Sequence, residues 1–334
     1  MSNHSDTTPT TASSPHHTTG QPPTRHQPTQ SLILGIDVGG TNIKRVIATA
    51  VGEILHESST PTPQGGPNTI ETAIVAAVGD LETIAHRDGL LTGEATIHPT
   101  IGVCVPGIVD ESTGVAIHSA NLHWDNLPLQ ARLTDTLARP VRLGHDVRTG
   151  ARGEFRFGAG KHREHGCYIA IGTGIYLVTV IAGTPLAFHP WTGEIGQLPV
   201  PDPDAPTHTR TVETLCSAAG MARRVRALDP QLLPPQAGAK EVFALAAAGN
   251  PVAQHCVDDA IDYLATIIAH AAAILGPVPM VIGGGLRLAG SQLFSPLQAA
   301  LAARCTAGGV PELIPAELGN LSQALGCVAL ATTA

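Results

Sequence analysis

The chain's 334 residues are 43% hydrophobic but only 3% aromatic, enough for two ordinary domains with cores of Ala, Val, Leu and Ile. A formal net charge of −8 and a pI near 6.0 leave no basic footprint for nucleic acid. No stretch approaches the ~18 uninterrupted apolar residues of a membrane span. Cys104, Cys167, Cys216, Cys256, Cys305 and Cys327 never form a C-x-x-C pair, which reads as reduced thiols of a cytoplasmic protein rather than a disulfide framework.

Residues 1–30 are rich in Thr, Pro, Ser, Gln and His and nearly devoid of aliphatic side chains. Such a segment buries too little apolar surface to offset its ordering entropy and reads as a disordered tail. It has neither the apolar core of a signal peptide nor the Arg bias of a transit peptide. Leu32, Ile33, Leu34 and Ile36 then predict a buried strand. Asp37 ends it, Gly39 and Gly40 turn, and Thr41 and Asn42 lead into a second apolar run over 43–48, which makes a β-hairpin. A dinucleotide fingerprint or a Walker loop would need a helix after the glycines. An ordinary Gly-Gly hairpin fits the pattern too, but the turn's chemistry points further. Asp37 at a strand end can hold hydrated Mg²⁺, the glycines let phosphate approach the backbone, and Thr41 offers a hydroxyl.

The spacing of Ile70, Ala73, Ile74, Ala77, Val78, Leu81, Ile84 and Ala85 predicts an amphipathic helix over 70–90. A strand over 101–105 stops at Pro106-Gly107, a small hairpin over 108–117 turns between Asp110 and Gly114, and 121–129 reads as polar residues threaded around Trp124. A helix over 130–137 and a strand over 141–143 follow. Strand, glycine turn, strand then recurs about 135 residues after its first appearance, over 167–171, Gly172-Thr173-Gly174 and 175–181. Two related halves, each giving a phosphate-gripping hairpin to one cleft, would explain the recurrence; chance is the alternative. The C-terminal half is mostly helical, with its longest segments over 213–227 and 252–275. A strand over 279–282 runs into Gly283-Gly284-Gly285, where a flat ligand could lie on bare backbone. Strands alternating with helices make the class α/β.

These motifs, in this order, resemble the ROK family (repressors, uncharacterised reading frames and sugar kinases) of the actin-like, ribonuclease-H-like ATPase superfamily. GIDVGGTNIK looks like its first phosphate motif, AIGTGI its second and VIGGGL its adenosine motif, while VPGIVD followed by NLHW is similar to the segment approaching the sugar. The resemblance runs from Leu32 to the final helix. It implies a two-lobed fold with duplicated phosphate-loop hairpins: an N-terminal lobe over 31–144 and a C-terminal lobe over 145–334, whose last helix packs back on the first lobe. It also implies transfer of the γ-phosphate of ATP, with Mg²⁺, to a hexose hydroxyl. The 6-hydroxyl of glucose comes first, with N-acetylmannosamine and N-acetylglucosamine as alternatives. Asp37, Gly39, Gly40, Thr41, Asn42 and Lys44 would face phosphate and Mg²⁺ together with Gly172, Thr173 and Gly174, and Gly283, Gly284 and Gly285 would face adenosine. Asn121, His145, Asp146, His189, Glu194 and Glu213 would face the sugar, and Asp146 aligns with the family's catalytic base. On chemistry alone, a carboxylate just after a strand suits a general base; it equally suits a helix N-cap.

The sequence departs from the family in four places. Gln197 stands where the motif has His, and the cysteines of the family's zinc cluster are missing. The reading is therefore zinc-free, with the loop over 199–209 stiffened by its prolines. His145 replaces an Asn, and Tyr176 and Leu177 replace glycines. Facing the sugar, His145 would titrate near its reference ~6.5 and set an acid limb of activity; turned away, it would merely pack. A repressor would need a helix-turn-helix ahead of Leu32, where the leader carries one Lys or Arg, Arg25. A sugar sensor without turnover is the other rival. The partners expected are a sugar and a nucleotide, neither nucleic acid nor membrane, with room for a homodimer.

Overall fold

The computed structural model describes residues 31–306 and 308–333; the tail expected over 1–30 lies outside the described residues. β1 (Ser31–Val38) and β2 (Asn42–Thr49) pair antiparallel around the Gly39-Gly40 turn, and β3 (Ile54–Pro61) extends the hairpin. β1 is a near-continuous apolar run because it is central in its sheet and covered on both faces. β3 was not anticipated: its half-buried side chains alternate with exposed ones over its second half along a polar edge, so no apolar run marks it. α1 (Pro67–Arg87) lays Ile70, Ile74, Ala77 and Leu81 against the core. β4 (Thr96–Ile97) and β5 (Ile101–Val105) run parallel to β1.

β6 (Ile108–Asp110), β7 (Val115–Ser119) and β8 (Trp124–Leu127) form a separate antiparallel sheet. β8 corrects the irregular reading of 121–129; only Trp124 and Leu127 of its four residues are buried, so it lacks strand alternation. After α2 (Leu129–Leu137), β9 (Val141–His145) joins β5 and completes the sheet order β3-β2-β1-β5-β9. β9 runs past the expected 143, so Asp146 is not an N-cap; it is the first residue of α3 (Asp146–Phe157), and His145 is the cap.

α3 crosses to the second half. There β10 (Gly166–Ile171) and β11 (Ile175–Ile181) form the second glycine-turn hairpin, with β12 (Thr184–Pro185) beside it. β13 (Pro199–Asp202) and β14 (Ala205–Thr211) make a small hairpin. A helical layer follows: α4 (Val212–Cys216), α5 (Ala218–Leu228), α6 (Ala239–Ala247) and α7 (Pro251–Leu275). The single helix expected over 213–227 is broken at Ser217, whose extended backbone ends α4 while its hydroxyl accepts the Gly220 N–H at 3.0 Å to cap α5. β15 (Met280–Gly283), α8 (Ser291–Arg304) and β16 (Leu313–Pro315) complete a sheet ordered β12-β11-β10-β15-β16. Both sheets thus share one plan, an antiparallel hairpin with parallel strands added to its first strand.

α9 (Ser322–Ala331) returns to pack on β1, β5 and α3. Glycines permit that approach: a Cβ on Gly102 would collide with the Cys327 carbonyl, and one on Gly326 with that of Thr149. Glu154, fully buried, accepts from Leu318 N at 2.9 Å, Ser322 Oγ at 2.8 Å and Ala159 N at 3.0 Å, anchoring the start of α9 to α3.

Candidate active site

The first glycine turn is closed by Gly39 N donating to the Asn42 carbonyl at 2.9 Å, with the Thr62 hydroxyl donating to the Gly39 carbonyl at 2.6 Å. Thr41 and Asn42 are exposed. Around Gly40 only the Asn121 side chain comes within 4 Å of an added Cβ, so its backbone is open to a ligand. Asp37, at the end of β1, is 5% exposed; burial pushes its carboxyl up, and Lys44, 3.7 Å away, pulls it partly back. Lys44 also donates to the Asn320 carbonyl at 3.1 Å, which ties the turn to the segment before α9.

Asp146 stands at the same end of this sheet, directly after β9. Its Oδ1 accepts the Val147 N–H at 2.7 Å. Burial first, then the Asp37 charge and more weakly Glu194, push its carboxyl up to about 7. Yet 28% of the side chain remains exposed, so the carboxyl is both desolvated and reachable.

His145 corrects one expectation. It is 3% exposed and caps α3, its Nδ1 accepting the Arg148 N–H at 3.4 Å. That bond assigns the ring proton to Nε2, which lies 3.4 Å from Asp146 Oδ1. Burial, and then the Arg148 cation, hold the imidazole well below its ordinary range. Both effects disfavour the imidazolium and so work against the acid limb anticipated for a sugar-facing ring. Its ring stacks on Tyr176, centroids 4.7 Å apart, so the two departures from the family pattern touch each other.

Arg148 and Glu111 were not picked out from the sequence. Arg148, 2% exposed, donates to Glu111 Oε1 at 3.1 Å, Tyr176 Oη at 2.7 Å, the Val109 carbonyl at 2.8 Å and the Pro190 carbonyl at 3.4 Å. Glu111 Oε1 also accepts the His145 N–H at 2.8 Å, and Tyr176 Oη donates to the Thr192 carbonyl. One guanidinium therefore clasps the β6–β7 sheet, the start of α3, the second hairpin and the 186–194 loop. Local pattern gave no sign of this, although an Arg two residues after a candidate base was visible.

In the second turn Gly172 N donates to the Gly174 carbonyl at 2.9 Å, and Ala218 N at the start of α5 donates to the Gly172 carbonyl at 2.9 Å; Thr173 lies at the tip. Glu213 Oε2 accepts from Ile175 N at 3.3 Å and Gln197 Nε2 at 3.4 Å. A side chain at Gly174 would meet that oxygen at 2.8 Å, so Glu213 braces the turn closely. Burial and the nearby Glu213 charge raise the Glu194 carboxyl. Asp37, Asp146, Glu194 and Glu213 thus form one electrostatic group. His189 stands apart from them, on an exposed loop lining a 440 Å³ cavity with Asp110, Glu111 and Phe188.

Gly283 is the last residue of β15 rather than part of the turn; Gly284, at φ 78°, turns, with no room for a Cβ beside the Ile171 carbonyl. Gly285 opens a 3₁₀ turn beside a 520 Å³ cavity walled by Phe243, Leu286 and Leu288, with Lys240 and Gln292 at its polar edge. A planar ring fits such walls.

The loop over 199–209 is also corrected. It is the β13–β14 hairpin, held by ion pairs rather than proline stiffness. Arg210 pairs with Asp202 at 2.5 Å, and buried Arg224 pairs with Asp204 at 2.6 Å and Asp259 at 2.5 Å. Among the described residues no group of three or more His, Cys, Asp and Glu side chains is placed to hold a metal.

A ROK family model matches residues 33–334. The chain is 32% identical to a glucokinase of Halalkalibacterium halodurans over 282 residues, 79% of this chain and 83% of that one. It is 31% identical to the bifunctional enzyme NanE/NanK of Brucella melitensis over 307 residues, 91% of this chain and 54% of that one. Among solved structures it is similar to a ROK hexokinase from Thermus thermophilus, with TM-score 0.75, 25% identity, and coverage of 90% of this chain and 97% of that one. The two sheets with their repeated hairpins are the two-lobed, actin-like α/β fold.

Proposed function

Because this chain belongs to the ROK family, we propose that it is a sugar kinase using ATP and Mg²⁺ to phosphorylate a hexose, with the 6-hydroxyl of glucose as first acceptor. The observation that carries this reading is Asp146, at the head of α3 and coupled to Asp37, its carboxyl pushed up to about 7. A base whose pKa lies near working pH draws a hydroxyl proton well and is still ionised in a good share of molecules. With Oδ1 engaged by Val147 N, Oδ2 is the oxygen that takes the proton. The His145 Nε2 lies 3.4 Å from Oδ1 of the same carboxylate.

Asn121, Glu194 and Glu213 orient the sugar hydroxyls; a hydroxyl bonded to an ionised carboxylate is worth ~1.5–3 kcal/mol. The donor set fits a hard cation, since Asp37 is a buried carboxylate facing a second one and bears a charge that burial disfavours. Held at Asp37, Mg²⁺ would neutralise charge on the transferring phosphate. The open backbone of Gly39-Gly40, Lys44 and the Gly172-Gly174 turn receive phosphate, and the apolar cavity beside Gly285 receives the adenine ring.

Similarity to a glucokinase supports a hexose acceptor. Similarity to NanE/NanK favours, as a second reading, an N-acetylhexosamine acceptor. No described helix is long and apolar enough to cross a membrane and all six cysteines are free, in keeping with a cytoplasmic setting. A coupled ADP-release assay over glucose, mannose, N-acetylglucosamine and N-acetylmannosamine tests the proposal. The expected result is glucose-dependent release that Asp146→Asn abolishes. Release with no sugar above the Asp146→Asn background, while sugar still binds, would make the protein a sensor without turnover.

A further inference from the structure

A cavity of about 690 Å³ shares no lining residue with the cleft. Its walls are the C-terminal turns of α3, the 161–164 turn, the β11–β12 turn and the residues just after α9. In a chain of net charge −8 it gathers Arg152, Arg156, Lys161, His162 and Arg163 against one acid, Glu164. Arg163 pairs with Glu312 at 3.0 Å. Among the described residues, the side chains of Arg152, Arg156 and Lys161 have no ion pair and no hydrogen-bond acceptor.

An Arg in a last helical turn, such as Arg156, is an ordinary complement to the helix dipole. Arg152 is not explained that way. It lies one turn earlier, half-buried, and burial holds its guanidinium below the ordinary range, with Arg142 adding to that against Glu111. Arg152 and Arg156 are also like charges at i,i+4, an arrangement that opposes the helix unless an anion lies between them. The opposite wall offers acceptors. Thr332 Oγ1 donates to the Ala329 carbonyl at 2.9 Å and Thr333 Oγ1 to the Leu330 carbonyl at 2.6 Å, which leaves both with free lone pairs for incoming hydroxyls.

We propose that this cavity binds a small phosphorylated polyol, the phosphate on Arg152, Arg156 and Lys161 and the hydroxyls on Glu164, Thr332 and Thr333. Planar guanidinium forks match phosphate oxygens, and such charge-assisted bonds are the strong ones. The site does not depend on the kinase reading, and its ligand bridges the ends of the two helices that join the sheets.

The test is calorimetric titration of the full chain with sorbitol 6-phosphate, inorganic phosphate and sorbitol. The wild type should bind sorbitol 6-phosphate more tightly than phosphate, and sorbitol not measurably. Arg156→Ala/Lys161→Ala should weaken sorbitol 6-phosphate binding about tenfold or more and leave sugar-dependent ADP release unchanged. Both residues are exposed, so folding is not at stake; Lys161→Gln alone should give part of the loss. Equal binding by wild type and double variant would place the anion elsewhere and overturn the proposal. No binding by the wild type would overturn it too, and phosphate binding as tightly as sorbitol 6-phosphate would overturn its polyol half.

Discussion

If Asp146 is the base, its own titration and not that of His145 sets the acid limb of activity. The carboxyl is raised in the folded protein, to about 7, so the ionised base is present above that value and lost as pH falls through it. The exposed 28% of the side chain lets water screen part of the effect, which places the midpoint at or somewhat below that value. One unit below the midpoint roughly a tenth of the molecules carry the base, and kcat/KM falls roughly tenfold. His145→Asn keeps a polar side chain beside Asp146 while removing the imidazole. The limb should survive it, its midpoint moving by less than ~0.5 unit, since the burial and Asp37 charge that raise Asp146 remain. The assay is kcat/KM by coupled ADP release from pH 5 to 9, with both substrates well below saturation so that the free enzyme is read. A limb that vanishes in His145→Asn, or a wild-type midpoint near the ordinary carboxylate value, would refute the reasoning.

Three further outcomes follow from the same contacts. A carboxyl raised from 3.8 to about 7 opposes folding increasingly as pH rises between those values, by an unscreened ~4 kcal/mol. Asp146→Asn should therefore be inactive yet about 1–2 kcal/mol more stable than wild type by urea unfolding at pH 8, with almost no difference near pH 4; equal gains at both pH values contradict this. Arg148→Lys replaces a planar fork by a point charge that cannot reach Glu111, Tyr176 and two carbonyls together, so it should cost ~3 kcal/mol or more of stability and lower kcat about a hundredfold; an unchanged kcat would remove Arg148 from the positioning of the base. Arg224→Met strands Asp204 and Asp259 and should cost ~3 kcal/mol, whereas a chelator should leave the melting temperature unchanged. One zinc per chain by elemental analysis, with a fall in melting temperature on chelation, would sink the ion-pair account.

What was legible in the sequence was what local pattern encodes. Both glycine hairpins, the parallel strand over 101–105 and the long amphipathic helices rest on apolar periodicity and turn residues, which act between near neighbours in the chain. The order of motifs then put Asp37 toward the phosphate and Asp146, Glu194 and Glu213 toward the sugar, and the fold brings all four within electrostatic reach of one another. β3 and β8 escaped because edge and small-sheet strands do not need an apolar run. The break at Ser217 escaped because a Ser inside an amphipathic pattern caps a helix only when the chain turns there. Arg148, Glu111 and Glu154 were invisible for another reason. Their partners lie far along the chain, Glu154 reaching Leu318 and Ser322 and Arg148 reaching Tyr176 and Pro190. No local spacing announces such a pairing.

Two of the departures from the family pattern weigh differently once they are seen in contact. His145 and Tyr176 read in sequence as separate intrusions of bulk where an Asn and a glycine were expected. In the fold they complete one ring of contacts: His145 stacks on Tyr176, Tyr176 bonds to Arg148, Arg148 to Glu111, and Glu111 accepts the His145 N–H. Each large side chain fills space that the other's small counterpart would leave empty. The buried hydroxyl and guanidinium are hydrogen-bonded and the imidazole Nδ1 accepts the Arg148 N–H, as buried polar groups must be if they are not to cost several kcal/mol. A site losing its chemistry would lose such partners one at a time and leave unpaired groups behind. Here the altered residues are tied into the ring of contacts that adjoins Asp146, with His145 Nε2 3.4 Å from its Oδ1.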